Sequence, residues 1–394
     1  MQEKYLTFQN YAYSSKMREM PSNFEVSIIH CKDYSHSRSA ISRSLELIGG
    51  LESIVSPGDR VLLKVNLLAP RPPEDAVTTH PAVVAVVIDL VKEAGGIPIV
   101  GDSAGMIHPG ATAEALEISG IQAVAAEKGA EIANFDTTGF EKVDVKNGKK
   151  LSSIYIAKPV LEADVVISLP KLKTHELTLF TGAVKNMFGT VPSRIRKDAH
   201  ALGTNELFSQ AVVDIYSVRP PDLAIMDGVV GMEGHGPSRG KPVNSGVIMA
   251  ARNCVAMDMV AASIIGFGPD EIITSKDAAE RGFGPSSLKD ITLLGDPIED
   301  ILMDFKRPGR GLSSLPDPVG KLLMRLHSMR PRIDNDKCQE CGACIKNCPA
   351  DAIQLPYPIE IDKELCILCF TCFELCPYNS IFIQRSWLAR HLRP

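Results

Sequence analysis

Between residues 25 and 300 short apolar, β-branched runs alternate with stretches in which apolar positions recur at helical spacing. The runs predict strands at EVSIIH (25–30), RVLLKV (60–65), IPIVG (97–101), SIYIA (153–157), DVVISL (164–169), DLAIMD (222–227), SGVIMA (245–250) and ITLLG (291–295). The clearest helix is HPAVVAVVIDLVKEAGG (80–96), with Thr79 as the expected cap, Pro81 in the first turn and a Gly-Gly stop. Strands alternating with helices predict an α/β domain over 25–305, with a largely parallel sheet and helices on both faces.

The flanks read differently. Residues 1–24 are polar and irregular, an N-terminal arm. Residues 306–332 carry seven Lys/Arg against one Asp, with Pro and Gly at the ends, and form a basic linker. Inside it, DPVGKLLMRLHSMR sets Val319, Leu322, Leu323, Leu326 and Met329 on one helical face, behind Asp317 as N-cap and Pro318. Such a helix packs across a domain junction; a membrane surface or an acidic partner is the other use of a basic amphipathic helix.

Composition narrows the class. Apolar residues make up 45% and charged residues 23%, as in an ordinary soluble globular protein. The net charge of −5 speaks against a general nucleic-acid role, which needs a basic surface. The most apolar stretch, 246–268, is interrupted by Arg252, Asn253 and Asp258, so no transmembrane segment is expected. The N-terminus lacks the apolar core of a secretory signal, and the expected location is the cytoplasm.

Ten cysteines change the picture, because eight of them fall in two groups near the C-terminus. CQECGACIKNCP starts at Cys338 and CILCFTCFELCP at Cys366; both are C-x2-C-x2-C-x3-C-P. Each cysteine of one run recurs in the other at a fixed offset: 338/366, 341/369, 344/372 and 348/376. Three cysteines at two-residue gaps wrap one face of a cubane, and the fourth, before its proline, reaches the other cluster. Cys338, Cys341, Cys344 and Cys376 are therefore expected to hold one 4Fe–4S cluster, and Cys366, Cys369, Cys372 and Cys348 the second. Zinc competes for paired CxxC units, but it takes four ligands in separable pairs and not two crossed runs. Cys31 and Cys254 sit in apolar runs and read as buried, inert thiols.

With both prolines in place, residues 333–394 resemble bacterial two-cluster ferredoxins. The resemblance implies a small α+β iron–sulfur domain that handles one electron at a time at low potential. The tail RSWLARHLRP brings the only tryptophan, Trp387, expected to dock on this domain's core.

The large domain carries VLLKVNLL (61–68), TTHPAVVAVVIDLVKEAGGIPIVGDSAG (78–105), LPKLKTHELTLFTGAVKNMFG (169–189) and PDLAIMDGVVGMEGHGP (221–237). In these stretches it resembles the domain of unknown function family 362, whose members often carry a ferredoxin-like segment at the C-terminus. That resemblance implies no substrate.

The residues themselves suggest where one would bind. Ligands of open α/β sheets sit outside the carboxyl ends of the strands. Lys64 and Asn66 end one strand here, Asp102 and Ser103 another, Lys171, Lys173, Thr174 and His175 a third, and Asp227 a fourth. Lysines at apolar strand ends suit a carboxylate or phosphate. Lys171, Lys173 and His175 are the catalytic candidates; Lys185 and Asn186 follow close behind and join the substrate-binding set. Each of these also has a structural reading, as a turn, a cap or a helix end. The loop GVVGMEGHGPSRGKP (228–242) is too rich in glycine to be regular and would close over a ligand with Glu233, His235 and Arg239. It fits neither GxGxxG nor a P-loop.

The expectation is an iron–sulfur electron-transfer protein, an oxidoreductase acting on a small anionic substrate and served by a redox partner protein. Two other readings stand beside it. One is a ferredoxin-type carrier whose large domain docks its partner without chemistry; the other is a redox-neutral enzyme that keeps clusters for structure or sensing. A flavin could gate paired electrons, but no motif announces one.

Overall fold

A computed structural model describes residues 24–105, 110–202, 204–268, 270–308, 329–346, 348, 351–366, 372–373 and 376–385. In chain order the strands of the large domain are β1 (Phe24–His30), β2 (Arg60–Val65), β3 (Ile97–Asp102), β4 (Glu131–Asn134), β5 (Phe140–Asp144), β6 (Ser153–Ala157), β7 (Val165–Leu169), β8 (Lys171–His175), β9 (Leu179–Phe180), β10 (Leu223–Glu233), β11 (Lys241–Ala251) and β12 (Ile291–Gly295). The main sheet runs β12-β1-β11-β10-β7-β2-β3-β4, with β8 and β9 attached beside β10. Neighbours are parallel except at β11, which is antiparallel to both β10 and β1. All eight predicted strands form, although SIYIA pairs with β5 in a separate antiparallel hairpin.

Alternation along the strands divides the core in two. Val61, Leu63, Val65, Val165, Ile167 and Ile225 pack on one face against the helices Ser37–Leu47 and Pro81–Glu93. Leu62, Val166, Ala224 and Met226 pack on the other face against Asn205–Val218 and Cys254–Ile264. Successive strand side chains point to opposite faces, and a strand apolar at both is covered on both sides.

Three local details differ from the sequence reading. His80, not Thr79, caps the helix Pro81–Glu93, its Nδ1 accepting from Ala82 N at 3.2 Å. The Thr79 hydroxyl instead accepts from Asn66 N at 2.8 Å and donates to Leu169 O at 2.6 Å, tying the ends of β2 and β7 to the start of that helix. The glycine-rich 228–242 stretch is mostly regular: β10 runs on to Glu233 and β11 begins at Lys241. Glycine is what permits this. A Cβ on Gly228 would lie 2.8 Å from Val247 O and one on Gly231 2.9 Å from Leu172 O, so β8 and β11 pack directly on bare backbone.

The C-terminal domain pairs β13 (Met329–Ile333) with β16 (Ile381–Arg385) and β14 (Ile353–Gln354) with β15 (Glu360–Ile361), both antiparallel. Its own core packs Ile353, Ile359, Phe373 and Ile381 with Cys348, Cys372 and Cys376. The expected arm and the Trp387 tail lie outside the described residues, as does most of the expected basic helix. The last two residues of that stretch, Met329 and Arg330, are strand and not helix. Among the described residues no helix is long and apolar enough to cross a membrane.

Candidate active site

KLKTH leaves the carboxyl end of β7 and remains extended as β8, fully buried. Period two puts Lys171, Lys173 and His175 on one side, with Leu172 and Thr174 on the other. A register shift between Asp227 and Met232 on β10 then separates the lysines. Lys171 pairs with Asp227 at 2.8 Å, both side chains fully buried, and donates to the Tyr34 hydroxyl at 2.9 Å. Tyr34 donates to Asp227 at 3.1 Å and stacks on His80, ring centroids 3.5 Å apart. Asp227 also accepts from His80 N at 2.8 Å. This network is closed on itself.

A second buried ion pair lies across the sheet. Lys64 Nζ sits 2.7 Å from Asp102 Oδ1. Asp102 also accepts from Leu67 N at 2.8 Å and Ser103 N at 2.7 Å, and Asn186 donates to Lys64 O at 3.0 Å and Ser168 Oγ at 3.0 Å. Burial disfavours charge on both partners, lowering the lysine and raising the aspartate, while their attraction opposes each shift.

Above this pair a cavity of ≈ 80 Å³ opens at the strand ends. At about 10–15 Å³ per water-sized probe it has room for a ligand of several heavy atoms. Asn66, Asp102, Ser103, Lys173, His175, Lys185 and Asn186 line it. Lys64, Lys171, Thr174, Asp227, Glu233 and His235 do not. Thr174 donates to Gly234 O at 2.9 Å, Glu233 accepts from Lys306 N at 2.9 Å, and His235 pairs with Glu176 at 2.6 Å. From the glycine-rich hairpin it is Pro237 that reaches the lining.

The lining is cationic. Lys173 donates to Val77 O at 2.6 Å. Lys185 lies 5.5 Å from the Phe188 ring centroid and 5.8 Å from that of Phe208. His175 Nδ1 accepts from Leu177 N at 3.0 Å and Thr178 N at 3.2 Å, so the ring proton is on Nε2. Burial first, then Lys185, His200 and Lys173, hold His175 well below the ordinary imidazole range. Its ring is neutral, able to donate a hydrogen bond but ill suited to give up a proton.

Among the ionisable lining residues sequence reasoning missed two, Arg196 and His200, on the helix Ser193–His200. SRIRKDAH reads as a solvated helix, yet Arg196 is 4% and His200 8% exposed. The only available signal was their i, i+4 spacing, which puts both on one face. Arg196 donates to Ala104 O at 2.7 Å, and His200 stacks on Phe208 at 4.6 Å. Burial, followed by Lys185 and Arg196, brings His200 down to about 3. Three buried atoms of this lining have no hydrogen-bond partner: Asn66 Oδ1, Arg196 Nε and His200 Nδ1. Leaving such atoms unsatisfied costs about 1–3 kcal/mol each. Among the described residues no three His, Cys, Asp or Glu side chains close on a single metal ion.

In the C-terminal domain burial pushes the Cys344 thiol up to about 11, and Cys376, Cys338 and Cys341 add to the shift. The two runs also match in detail: Cys348 Sγ accepts from Ala352 N at 3.2 Å and Cys376 Sγ from Ser380 N at 3.3 Å. Cys369 lies outside the described residues. Outside the two runs, Cys31 and Cys254 are fully buried.

Residues 61–263 match the family described as Domain of unknown function (DUF362). Residues 331–354 and 358–381 each match a 4Fe-4S binding domain. Those two spans contain the two cysteine runs, and the domain binds two 4Fe–4S clusters. The chain is 32% identical over 293 residues to Thylakoid-associated protein sll1697 of Synechocystis sp., covering 72% of this chain and 87% of that protein. It is also similar to a solved structure of the lactate racemase apoprotein from Thermoanaerobacterium thermosaccharolyticum, at a TM-score of 0.41 and 12% identity. That match covers 64% of this chain and 58% of the other.

Proposed function

The chain belongs to the DUF362 family and carries a two-cluster electron-transfer domain, and we propose that it is a cytoplasmic oxidoreductase acting on a small carboxylate or phosphate held in the strand-end cavity. The observation that carries this reading is the set of orphaned polar atoms in a cationic lining. Arg196 Nε needs an acceptor, and Lys173, Lys185 and the Nε2–H of His175 surround the same space. An anion accepts from these donors, and Asn66 Oδ1, an acceptor, is left for a hydroxyl or other donor of the ligand.

When bound, the clusters supply electrons one at a time, two in all, delivered by a redox partner protein. Arg196 and Lys185 bind the anion. The neutral His175 ring donates a hydrogen bond to an oxygen that gains charge as the substrate is reduced. Lys173 gives a proton from its ammonium, and solvent supplies the second proton of a two-electron reduction. Lys64–Asp102 and Lys171–Asp227 brace the strand ends from which these groups project. For the partner protein, the iron–sulfur domain exposes Leu355, Tyr357, Leu365, Tyr378 and Phe382.

The test supplies oxygen-free protein with reductant and a panel of small carboxylates and phosphate esters. Consumption of reductant that stops with Lys173→Met, iron content unchanged, supports the proposal. A protein that binds none of the panel and consumes nothing is a carrier.

A further inference from the structure

Two elements that line the cavity also touch the iron–sulfur domain. The helix Ser193–His200, which carries Arg196 and His200, donates through Lys197 Nζ to Lys346 O at 2.9 Å. The β10–β11 hairpin, whose Pro237 lines the cavity, sends Arg239 the other way. Its guanidinium lies 3.8 Å from the Phe373 ring centroid and donates to Ile381 O. Phe373 directly follows Cys372 and stands three residues before Cys376. The sequence reading gave Arg239 to the ligand; its contacts are instead with the electron-transfer domain.

We infer that Arg239 is a positioning residue that sets the reduction potential of the cluster held by Cys338, Cys341, Cys344 and Cys376, and seats that cluster against the hairpin over the cavity. This goes beyond the substrate reading and does not depend on it. The reasoning is electrostatic. Reduction of this cluster adds one electron, so its net charge becomes more negative by one. A fixed positive charge nearby stabilises the reduced form and raises the potential. Arginine keeps its charge at all working pH values, and its flat guanidinium stacks on an aromatic ring. The contacts of Arg239 lead to a ligand of this cluster: Ile381, whose carbonyl it holds, follows Ser380, whose N donates to Cys376 Sγ at 3.3 Å. Cys376 is the ligand that this cluster takes from the run Arg239 touches, and through it the larger effect falls on one of the two.

The experiment is an oxygen-free redox titration of the reconstituted full chain, with dithionite as electron source and electron paramagnetic resonance as readout. Arg239→Gln is expected to lower one midpoint potential by about 59 mV or more, a tenfold change for a one-electron couple, and to leave the other in place. Arg239→Lys, which keeps the charge, should restore most of the shift. Both potentials unchanged in Arg239→Gln, or both shifted equally, overturns the inference. Should Arg239→Gln fail to hold iron, Arg239→His provides the test within one sample. One potential should then fall, relative to wild type, as the pH rises through the imidazole range; a difference that does not vary with pH overturns the inference as well.

Discussion

Lys64 and Asp102 stand at the ends of adjacent parallel strands, 2.7 Å apart and almost wholly out of water. Removing one partner of such a pair leaves an uncompensated buried charge, at a cost of about 3–5 kcal/mol. Lys64→Met and Asp102→Asn should each lower the denaturant midpoint strongly. The double variant Lys64→Met/Asp102→Leu should recover much of the loss, and failure to recover would mean that the pair does more than satisfy itself.

Gly189 lets the backbone pass beside this pair. A Cβ there would lie 2.4 Å from Asp102 Oδ1 and 3.1 Å from Lys64 Nζ. Gly189→Ala should destabilise by about 1–3 kcal/mol, as overpacking does, with a further loss of anion affinity because Ser103 bonds Gly189 O at 2.7 Å. Thermal melts with and without phosphate separate the two effects.

Asp258 gives a pH signature. Buried, it is pushed up to about 7 despite accepting from Ala183 N and Val184 N at the start of a short helix. A carboxyl raised from its usual 3.8 is still protonated in the folded state where the unfolded chain has already ionised. Its contribution is therefore full in acid and is lost as pH rises through about 7, by up to about 4 kcal/mol. The buried histidines act oppositely: His200 at about 3 and His175, also lowered, favour the folded state above the ordinary imidazole range and weaken it in acid. Subtracting Asp258→Asn melts from wild type cancels them. The difference should shift against wild type between pH 5.5 and 8; a constant difference would place Asp258 at an ordinary carboxylate value.

The crossed sulfur coordination expected from the spacing predicts an asymmetric defect. Cys376→Ala should deplete the cluster of Cys338, Cys341 and Cys344, although it lies in the other run. Iron analysis with magnetic resonance of the remaining cluster checks this.

How much of this was legible beforehand follows from the range of each interaction. The two cluster-binding runs were readable because their cysteine spacing is fixed within a few residues of chain. The parallel sheet was readable because apolar strands carry their own period. The division of Lys171 from Lys173 was not, since it depends on a register shift against β10, whose Asp227 is 56 residues from Lys171. The glycine-rich hairpin looked irregular because the backbone that needs Gly228 and Gly231 belongs to other strands. Arg196 and His200 were hidden by a local sequence whose only apolar side chains are Ile195 and Ala199. Phe188 and Phe208, brought there by the fold, cover the His200 ring, and Ala104 O receives Arg196.

The central claim joins stored electrons to an anion in the cavity, and single-turnover re-oxidation measures that union. Fully reduced protein is mixed without oxygen with an excess of a small acid that it binds, and the returning cluster absorbance is followed. The account predicts two electrons released per chain in wild type and almost none in Lys173→Met, with the clusters of both proteins spectroscopically alike. Equal rates and equal yields in the two proteins would contradict it.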